Sequence, residues 1–392
     1  MPIPDGDAFF SWRREQFPFF ERKICLTHAS VSPLPARAAD ALVDYSRRIS
    51  TEGQFDFVSE HIYRRAKERL AELIGNGAVA DEIAMAGSTS HALGLVATSF
   101  PWKSGDNCVI VDGDFPANVV TWKNLEITQD VEIRMVPYRE NSEWTWADFE
   151  PLLDEKTRLV SVSAVNFLSG CPLDLKSLGE KLHARGIALC VDAIQAFGAV
   201  APDFSEADFI CADAHKWMLG PLGAAFAWFS PQYLPQMRPQ ILGWLAIAGR
   251  DDWFSYGTEP FPTAERFEPG ARNFIGTVGM EASLALIQEV GLQTIQKRVA
   301  HLRDYGAEQI ARIGARILWR GDAARPSGIF SFRFDEADMN ALNSKLDERF
   351  ALSLRADRAG NKWIRVAPHF MNCESDLDEL AAAVAEFRKR GE

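Results

Sequence analysis

The sequence predicts an α/β fold with a mainly parallel sheet of seven strands, followed by a smaller α+β domain. Between about residues 80 and 230, short apolar runs alternate with helix-like segments, which is typical of parallel strands joined by helices. Runs such as RLVSVSAV and IALCVD carry apolar residues on both faces, as expected of strands covered by helices on both sides. The predicted strands are residues 82–86, 108–111, 132–137, 158–165, 187–191, 207–211 and 224–229, and the predicted helices between them are residues 89–100, 118–128, 147–153 and 175–185.

The chain changes character after about residue 257, where a Pro- and Gly-rich stretch predicts a long loop. Two helices are predicted at residues 278–288 and 292–313, and two strands, each followed by a helix, come after them. We therefore predict a large domain of residues 21–256 and a small C-terminal α+β domain of residues 257–392, which residues 1–20 join.

The composition argues against several classes of function. The net charge is −12, so there is no basic excess to neutralise the phosphates of a nucleic acid or of an anionic membrane. No apolar stretch approaches the ~18 residues of a membrane helix, and residues 1–20 lack the apolar core of a signal peptide. We therefore expect a cytoplasmic protein that binds no membrane. The six cysteines form no C-x-x-C pair, so neither a metal site nor a disulfide framework is predicted.

Two residues at predicted strand ends indicate the chemistry. Asp192 follows one strand, and Lys216 follows the next in a turn that contains Gly and Pro. Ligands of open α/β sheets bind beyond the carboxyl ends of the strands, so both side chains are expected to face one crevice. Pyridoxal 5′-phosphate (PLP) chemistry needs this pair: a lysine holds the cofactor as a Schiff base and moves protons at the substrate Cα, and a carboxylate keeps the pyridine nitrogen protonated. Gln195, one helical turn after Asp192, could donate a hydrogen bond to the ring hydroxyl oxygen.

Further segments along the chain extend this interpretation. They are THASVSPLP, AGSTSHALG, DFPANVVTW, VNFLSGCPLDL, FEPGARNFIG and IRVAPHFMN, in addition to VDAIQAFG and DFICADAHKWMLGPLG. In this order and spacing they resemble the class V aminotransferases of fold type I, a family that includes cysteine desulfurases, selenocysteine lyases, isopenicillin N epimerase-like proteins and, more distantly, kynureninases. The resemblance covers nearly the whole chain. It implies a PLP enzyme whose active site lies between two domains and against a partner subunit, and hence a homodimer.

The resemblance also assigns the catalytic groups. Lys216 would be the Schiff-base lysine, Asp192 the partner of the pyridine nitrogen, and His215 a neighbour of the phosphate or of Lys216. After a small L-amino acid has displaced it from the cofactor, Lys216 would remove the Cα proton.

The remaining residues implied by the resemblance bind the cofactor or the substrate. Ser88 and Thr89 match a phosphate-binding turn at the start of a helix, where hydroxyl and N–H groups form an anion site. Phe115 matches the residue that stacks on the cofactor ring, and Gln195 matches the residue that contacts the ring hydroxyl. Arg365 matches the arginine that binds the substrate α-carboxylate, for which a guanidinium fork is suited.

The chain departs from the family pattern at three places. Asp213 stands where desulfurases often carry a phosphate-binding serine, so we expect it to point away or to hold His215. Ala271 stands where family members donate a threonine to the partner subunit. The segment LSLRADRAGNKW before Arg365 has no cysteine, and Cys373 does not match the family position, so a persulfide-forming desulfurase is not predicted.

Several residues also have plain structural interpretations. A capping role is the alternative for four polar residues: Ser88, Thr89, Asp192 and Gln195. Lys216 could be an ordinary loop lysine, Phe115 could be core, and Arg355 is expected to be solvated or structural. His28 and His91 stay open between active-site and packed histidines. The motifs G-x-G-x-x-G, G-x-S-x-G and H-E-x-x-H, which would indicate other enzyme classes, are absent from the sequence.

The sequence therefore predicts a PLP-dependent, class V aminotransferase-like enzyme that acts on a small L-amino acid. We favour carbon–sulfur lyase or transaminase chemistry on a cysteine-type substrate, without a persulfide cysteine. The alternatives are an amino-acid epimerase of the isopenicillin N epimerase type and a non-catalytic descendant that binds PLP.

Overall fold

The structure is a computed structural model that describes residues 3–54, 58–254 and 256–389. Its helices are α1 (Gly6–Gln16), α2 (Ala36–Glu52), α3 (Val58–Ile74), α4 (Thr89–Ser99), α5 (Ala117–Thr128), α6 (Trp146–Phe149), α7 (Leu175–His183), α8 (Phe274–Val290), α9 (Leu292–Arg312), α10 (Met339–Leu346) and α11 (Glu374–Lys389). Its strands are β1 (Ile24–Cys25), β2 (Ile83–Ala86), β3 (Asn107–Val111), β4 (Glu132–Val136), β5 (Thr157–Ser163), β6 (Ala188–Asp192), β7 (Phe209–Asp213), β8 (Ala225–Phe229), β9 (Arg316–Ile317), β10 (Phe330–Arg333), β11 (Phe350–Ala351), β12 (Ser353–Ala356) and β13 (Lys362–Val366).

The predicted seven-stranded, mainly parallel sheet is present among the described residues. Its strand order is β2-β8-β7-β6-β5-β3-β4, and β8 runs antiparallel to both of its neighbours. Two apolar clusters flank the sheet, one containing side chains of α7 and α8 and the other side chains of α4 and α5. Because both faces are covered, every residue of β3, β6, β7 and β8 is buried. This two-sided burial is why apolar runs locate the strands to within two residues.

A second sheet lies in the C-terminal part of the described chain. Its four strands are antiparallel and follow the order β12-β13-β10-β9. The sequence predicted β10 and β13 but missed β9 and β12, because β9 has two residues and β12 is only partly buried. Strand β1 pairs in parallel with β11, which ties the N-terminal segment to this region.

Helix α8 packs against α2 and α3, and its apolar residues join one of the clusters that flank the large sheet. The division of the chain between residues 256 and 257 stays a prediction. No helix within the described ranges is long and apolar enough to span a membrane.

The strand order determines where the predicted site residues meet. Strands β2, β3, β5, β6 and β7 run in the same direction, so their carboxyl ends lie at one edge of the sheet. Asp192 is the last residue of β6 and Asp213 the last of β7, while α4 begins at Thr89 just beyond β2. This is the edge at which open α/β sheets bind their ligands.

Candidate active site

A cavity of about 300 Å³ lies at this edge. It is lined by all eight residues that the sequence singled out for the cofactor and the substrate: Ser88, Thr89, Phe115, Asp192, Gln195, His215, Lys216 and Arg365. Ser30, Asp213 and Arg355 line it as well. The geometry therefore brings the predicted residues together, while their individual roles stay predictions.

Asp192 and Lys216 are both buried and both have shifted pKa values. Burial raises the pKa of Asp192 to about 7, with a further rise from Asp114 and an opposing effect of Lys216. The Asp192 carboxylate accepts a hydrogen bond from the backbone N–H of Ile194 at 3.0 Å. Burial lowers the pKa of Lys216 to about 8, and the neighbouring Arg365 lowers it further against the attraction of Asp192. The pKa of each group is thus shifted in the direction that favours its neutral form, as is common where acids and bases react.

A chain of hydrogen bonds supports the turn that carries Lys216. The Ser32 hydroxyl donates to the Lys216 carbonyl oxygen at 2.6 Å, and the Ser32 N–H donates to the His215 carbonyl oxygen at 2.8 Å. His28 Nδ1 lies 2.7 Å from the same hydroxyl, whose proton is already used, so this ring nitrogen is the donor. His28 is fully buried, and its pKa is lowered by burial and by His369. His28 therefore supports the lysine turn from outside the cavity.

Gln195 is fixed by two contacts. Its Nε2 donates to the Ala29 carbonyl oxygen at 3.0 Å, and its Oε1 accepts from the Trp217 indole N–H at 3.0 Å. Residues 193–200 form turns and not a helix, so Gln195 does not lie one helical turn after Asp192 as predicted. One N–H of the Gln195 amide remains for a ligand in the cavity.

The N-terminus of α4 also lines the cavity. Ser88 is the N-cap of this helix, and its hydroxyl accepts from the His91 N–H at 3.1 Å. The Thr89 hydroxyl is buried and has no hydrogen-bond partner among the described residues. His91 lies in the first turn of α4, and its Nδ1 accepts from the Gly87 N–H at 3.2 Å, so its side chain points back to the segment before the helix. His91 does not line the cavity.

The remaining wall contains Phe115, Asp213 and His215. The Lys216 Nζ atom lies 5.4 Å from the centroid of the Phe115 ring, which is 41% exposed and therefore available to a ligand. Asp213 Oδ1 lies 2.7 Å from His215 Nδ1. Of the two predicted orientations of Asp213, the one that holds His215 is observed.

Two arginines come together at the end of the cavity formed by β12 and β13. Arg365 is buried and donates to the Ser353 hydroxyl at 3.2 Å and to the Phe167 carbonyl oxygen at 2.6 Å. Arg365 and Arg355 both donate to the Ser30 hydroxyl. Burial lowers the pKa of Arg365 to about 9, with a contribution from Arg355. Arg355, which was expected to be solvated or structural, lines the cavity and is held by Ser30, and its role stays a prediction.

The cysteines lie away from the cavity. All six are buried, and burial raises the pKa of both Cys25 and Cys171 to about 12. Cys373 contacts the Ser375 hydroxyl at 3.1 Å, and no cysteine appears in the cavity lining formed by described residues.

Ala271 is followed in the sequence by two polar residues, Arg272 and Asn273, and both side chains bind other groups of the same chain. Arg272 forms ion pairs with three carboxylates, those of Glu60, Glu265 and Glu268. Asn273 caps α8 and donates to the Gly223 carbonyl oxygen at 2.7 Å.

The family model for aminotransferase class-V matches residues 24–380. The chain belongs to the class V aminotransferase family.

Two curated relatives are a probable cysteine desulfurase of Methanothermobacter thermautotrophicus and an uncharacterized aminotransferase of Schizosaccharomyces pombe. The first is 28% identical over 96% of this chain and 98% of its own, and the second is 27% identical over 83% of this chain and 84% of its own. Among solved structures, the apo cysteine desulfurase from Thermococcus onnurineus covers 99% of both chains with a TM-score of 0.88 and 21% identity. The structure of the cystine C–S lyase C-DES also matches this chain, with a TM-score of 0.83 and 21% identity, and the match covers 95% of this chain and 99% of that chain.

This class V aminotransferase is therefore a PLP-dependent enzyme of fold type I. Its cavity fits the cofactor. The unpartnered, buried Thr89 hydroxyl at the N-terminus of α4 suits a phosphate. At the other side of the cavity, Asp192 suits the ring nitrogen and Lys216 suits the aldehyde, and both of these side chains are nine-tenths or more buried.

Replacing Thr89 with valine is expected to raise the dissociation constant of PLP by about 10-fold, because a buried charge-assisted hydrogen bond to the phosphate is lost while the side-chain shape is kept. Thr98→Val is the matched control, since the Thr98 hydroxyl donates to the Gly94 carbonyl oxygen farther along α4. Fluorescence titration of both cofactor-free variants measures the constants. Equal affinity in the two variants would rule out a phosphate contact by Thr89.

The rate at which PLP binds covalently to the cofactor-free protein is expected to rise with pH, with a midpoint near pH 8. Only the neutral amine attacks an aldehyde, and burial lowers the pKa of Lys216 to about 8 from the usual 10.5. Stopped-flow absorbance between pH 6 and 11 measures this profile. A midpoint near that of a free lysine would contradict the described environment of Lys216.

Proposed function

We propose that the chain cleaves the carbon–sulfur bond of a cysteine-type L-amino acid. The observation behind the proposal is the composition of the cavity, which joins a buried lysine and a buried arginine, both of lowered pKa, and whose lining of described residues contains no cysteine. Such a cavity can hold an amino acid and remove its Cα proton, but it offers no thiol to accept sulfur. The sulfur therefore leaves as a free product.

Each residue has a defined task in this proposal. PLP, when bound, withdraws electrons from the substrate Cα and makes its proton acidic. Lys216 Nζ takes that proton, which its lowered pKa permits near neutral pH. Asp192 holds a proton on the nitrogen of the cofactor ring, and Arg365 orients the α-carboxylate through its two remaining N–H groups. The Cβ–S bond then breaks as a Cα–Cβ double bond forms, and addition of water gives pyruvate, ammonia and sulfide from cysteine.

The relatives are consistent with this chemistry. The curated relative from Methanothermobacter thermautotrophicus is named a probable cysteine desulfurase and spans almost the same length as this chain. Among described residues, the turn between β12 and β13 contains no cysteine that could take up the sulfur. Free sulfide rather than a protein persulfide is therefore the proposed product.

The test is a product assay on the purified holoenzyme with L-cysteine and its S-conjugates. Equal amounts of sulfide, or of the S-conjugate thiol, and pyruvate support the lyase, provided that Lys216→Ala forms neither. Accumulation of pyridoxamine phosphate with a keto acid would replace the lyase by a transaminase. Entry of solvent deuterium at Cα with loss of optical purity, and without pyruvate, would replace it by an epimerase.

We also propose that the enzyme works as a cytoplasmic homodimer. The support is a group of exposed apolar side chains, Trp244, Trp253, Phe254 and Tyr256, which are 59–79% exposed in the single chain. Exposed apolar patches of this kind commonly mark protein interfaces. Sedimentation equilibrium of the wild type and of Trp253→Ser tests the dimer.

A further inference from the structure

Two buried histidines, His28 and His369, lie behind the turn that carries Lys216. Both side chains are fully buried, and their ring centroids are 5.3 Å apart. His369 Nδ1 accepts from the Phe370 N–H at 2.8 Å, so the ring proton is on Nε2, which donates to the Trp217 carbonyl oxygen at 3.0 Å. His369 therefore holds the carbonyl group of the residue that directly follows Lys216.

His28 holds the carbonyl group of Lys216 itself through Ser32. Its Nδ1 donates to the Ser32 hydroxyl at 2.7 Å, and that hydroxyl donates to the Lys216 carbonyl oxygen at 2.6 Å. His28 Nε2 is buried and has no hydrogen-bond partner among the described residues. An apolar side chain would fill the same space without leaving a buried polar atom unpaired. The hydrogen bond to Ser32 is therefore what a histidine adds at this position.

Neither histidine is suited to proton transfer. Burial lowers the pKa of His28 well below its ordinary value, with a contribution from His369, and burial lowers the pKa of His369 to about 4. Both rings are therefore neutral near pH 7, and neither ring lines the cavity. Their contacts leave them the task of holding other groups in place.

The carbonyl group that His369 holds belongs to a residue that also fixes Gln195. The Trp217 indole N–H donates to Gln195 Oε1 at 3.0 Å, and the Trp217 side chain is fully buried. The backbone is tightly packed at this point, since a Cβ atom at Gly198 would lie 2.6 Å from the Trp217 carbonyl oxygen. A shift of the Trp217 backbone would therefore displace both Lys216 and Gln195.

We propose that His28 and His369 are positioning residues, which fix the successive carbonyl groups of Lys216 and Trp217 and so hold the Lys216 amine and the Gln195 amide at the cofactor. This role rests on the proposed function of Lys216, and it does not depend on which bond of the substrate is cleaved. The two histidines act from different segments, one after β1 and one after β13, so the lysine turn is held from two sides.

Loss of either hydrogen bond is expected to let the turn relax and to admit water to the Lys216 amine. Burial is the largest cause of the lowered pKa of Lys216, so this pKa should move back towards 10.5. In His28→Leu and His369→Leu, the midpoint pH for covalent binding of PLP to the cofactor-free protein should rise by about one unit. Binding below pH 8 should then be about 10-fold slower. The charged groups that face the amine are unchanged in both variants, namely Arg365, Asp192, Asp213 and Arg355.

Asparagine and glutamine separate hydrogen bonding from space filling at these two positions. The amide nitrogen of asparagine can take the place of histidine Nδ1, and that of glutamine can take the place of Nε2. His28→Asn should therefore keep the wild-type midpoint, while His28→Gln should lose it. The order is reversed at the second position, where His369→Gln should keep the midpoint and His369→Asn should lose it. Stopped-flow absorbance between pH 6 and 11 measures all of these variants. His301→Leu is the matched control, because His301 is exposed and pairs with Glu374 at 2.9 Å.

The opposite order of asparagine and glutamine at the two positions would support the proposal. A wild-type midpoint in both leucine variants would overturn it. Equal effects of asparagine and glutamine at both positions would overturn it as well, and this comparison decides the question even if the leucine variants do not fold. The measurements use PLP without an amino-acid substrate, so their outcome is distinct from a failure of the lyase assay.

Discussion

Replacing Lys216 with alanine is expected to lower kcat by at least about 10²- to 10⁴-fold, the range that one positioned proton-transfer group contributes. The loss is large because Lys216 combines two tasks, covalent retention of PLP and transfer of the Cα proton. The visible absorption band of the lysine-bound cofactor should disappear in the same variant. Steady-state kinetics and absorbance spectra of the variant measure both effects.

The variant should remain folded, because Lys216 is a buried group whose charged form is disfavoured by its surroundings. Thermal unfolding of the cofactor-free protein checks this point. Lys176→Ala is the matched control, since Lys176 is exposed and lies 3.8 Å from Asp203 at the surface. Partial recovery of activity with a small primary amine would support proton transfer by Lys216. Activity within a factor of a few of the wild type would contradict it.

Asp192→Asn is expected to lower kcat by about 10²- to 10³-fold, the usual effect of removing one preorganised electrostatic group. Asparagine keeps the shape and can still accept from the Ile194 N–H, but it cannot hold a proton on the ring nitrogen. The dissociation constant of PLP and kcat, measured on the same preparation, separate weaker cofactor binding from slower chemistry. Wild-type kcat at saturating PLP would contradict the role proposed for Asp192.

Asp192→Asn should stabilise the cofactor-free protein relative to the wild type as the pH rises towards 7. Burial raises the folded pKa of Asp192 to about 7, above its ordinary value of 3.8, so the folded state binds the extra proton between these two values. The contribution of Asp192 to stability is therefore full below about pH 4 and is lost as the pH rises through 7. In urea unfolding, the free energy of unfolding of Asp192→Asn should rise relative to that of the wild type from pH 4 to 7, and the difference should be constant above pH 7. A constant difference in unfolding free energy across this range would contradict the raised pKa of the buried Asp192 carboxyl group.

The sequence predicted the large sheet well because its strands are buried on both faces. Runs such as IALCVD are then apolar throughout, and the strand ends fall where polar residues appear. The site followed from the same strand ends: once parallel strands are placed, Asp192, Lys216 and the start of α4 must meet at one edge. The resemblance to a family added residues whose position depends on the second sheet, Arg365 above all.

Features that depend on packing between distant segments were not predicted. Arg355 lies on a partly buried strand without an apolar pattern, so nothing local shows that its side chain reaches Ser30. His28 supports the Lys216 turn through Ser32, a contact between segments about 180 residues apart in the chain. Helices α1 to α3 were not identified. Strands β9 and β12 were missed because β9 has only two residues and β12 is only partly buried.

The most direct test of the account is to identify the residue that holds the cofactor. Borohydride reduction of the PLP-loaded protein makes the cofactor–lysine bond permanent, and mass spectrometry of its proteolytic peptides locates the modified residue. We expect a phosphopyridoxyl group on the peptide containing Lys216. Modification of another lysine, such as the buried Lys67 that pairs with Glu268 at 2.7 Å, or no modified peptide at all, would contradict it.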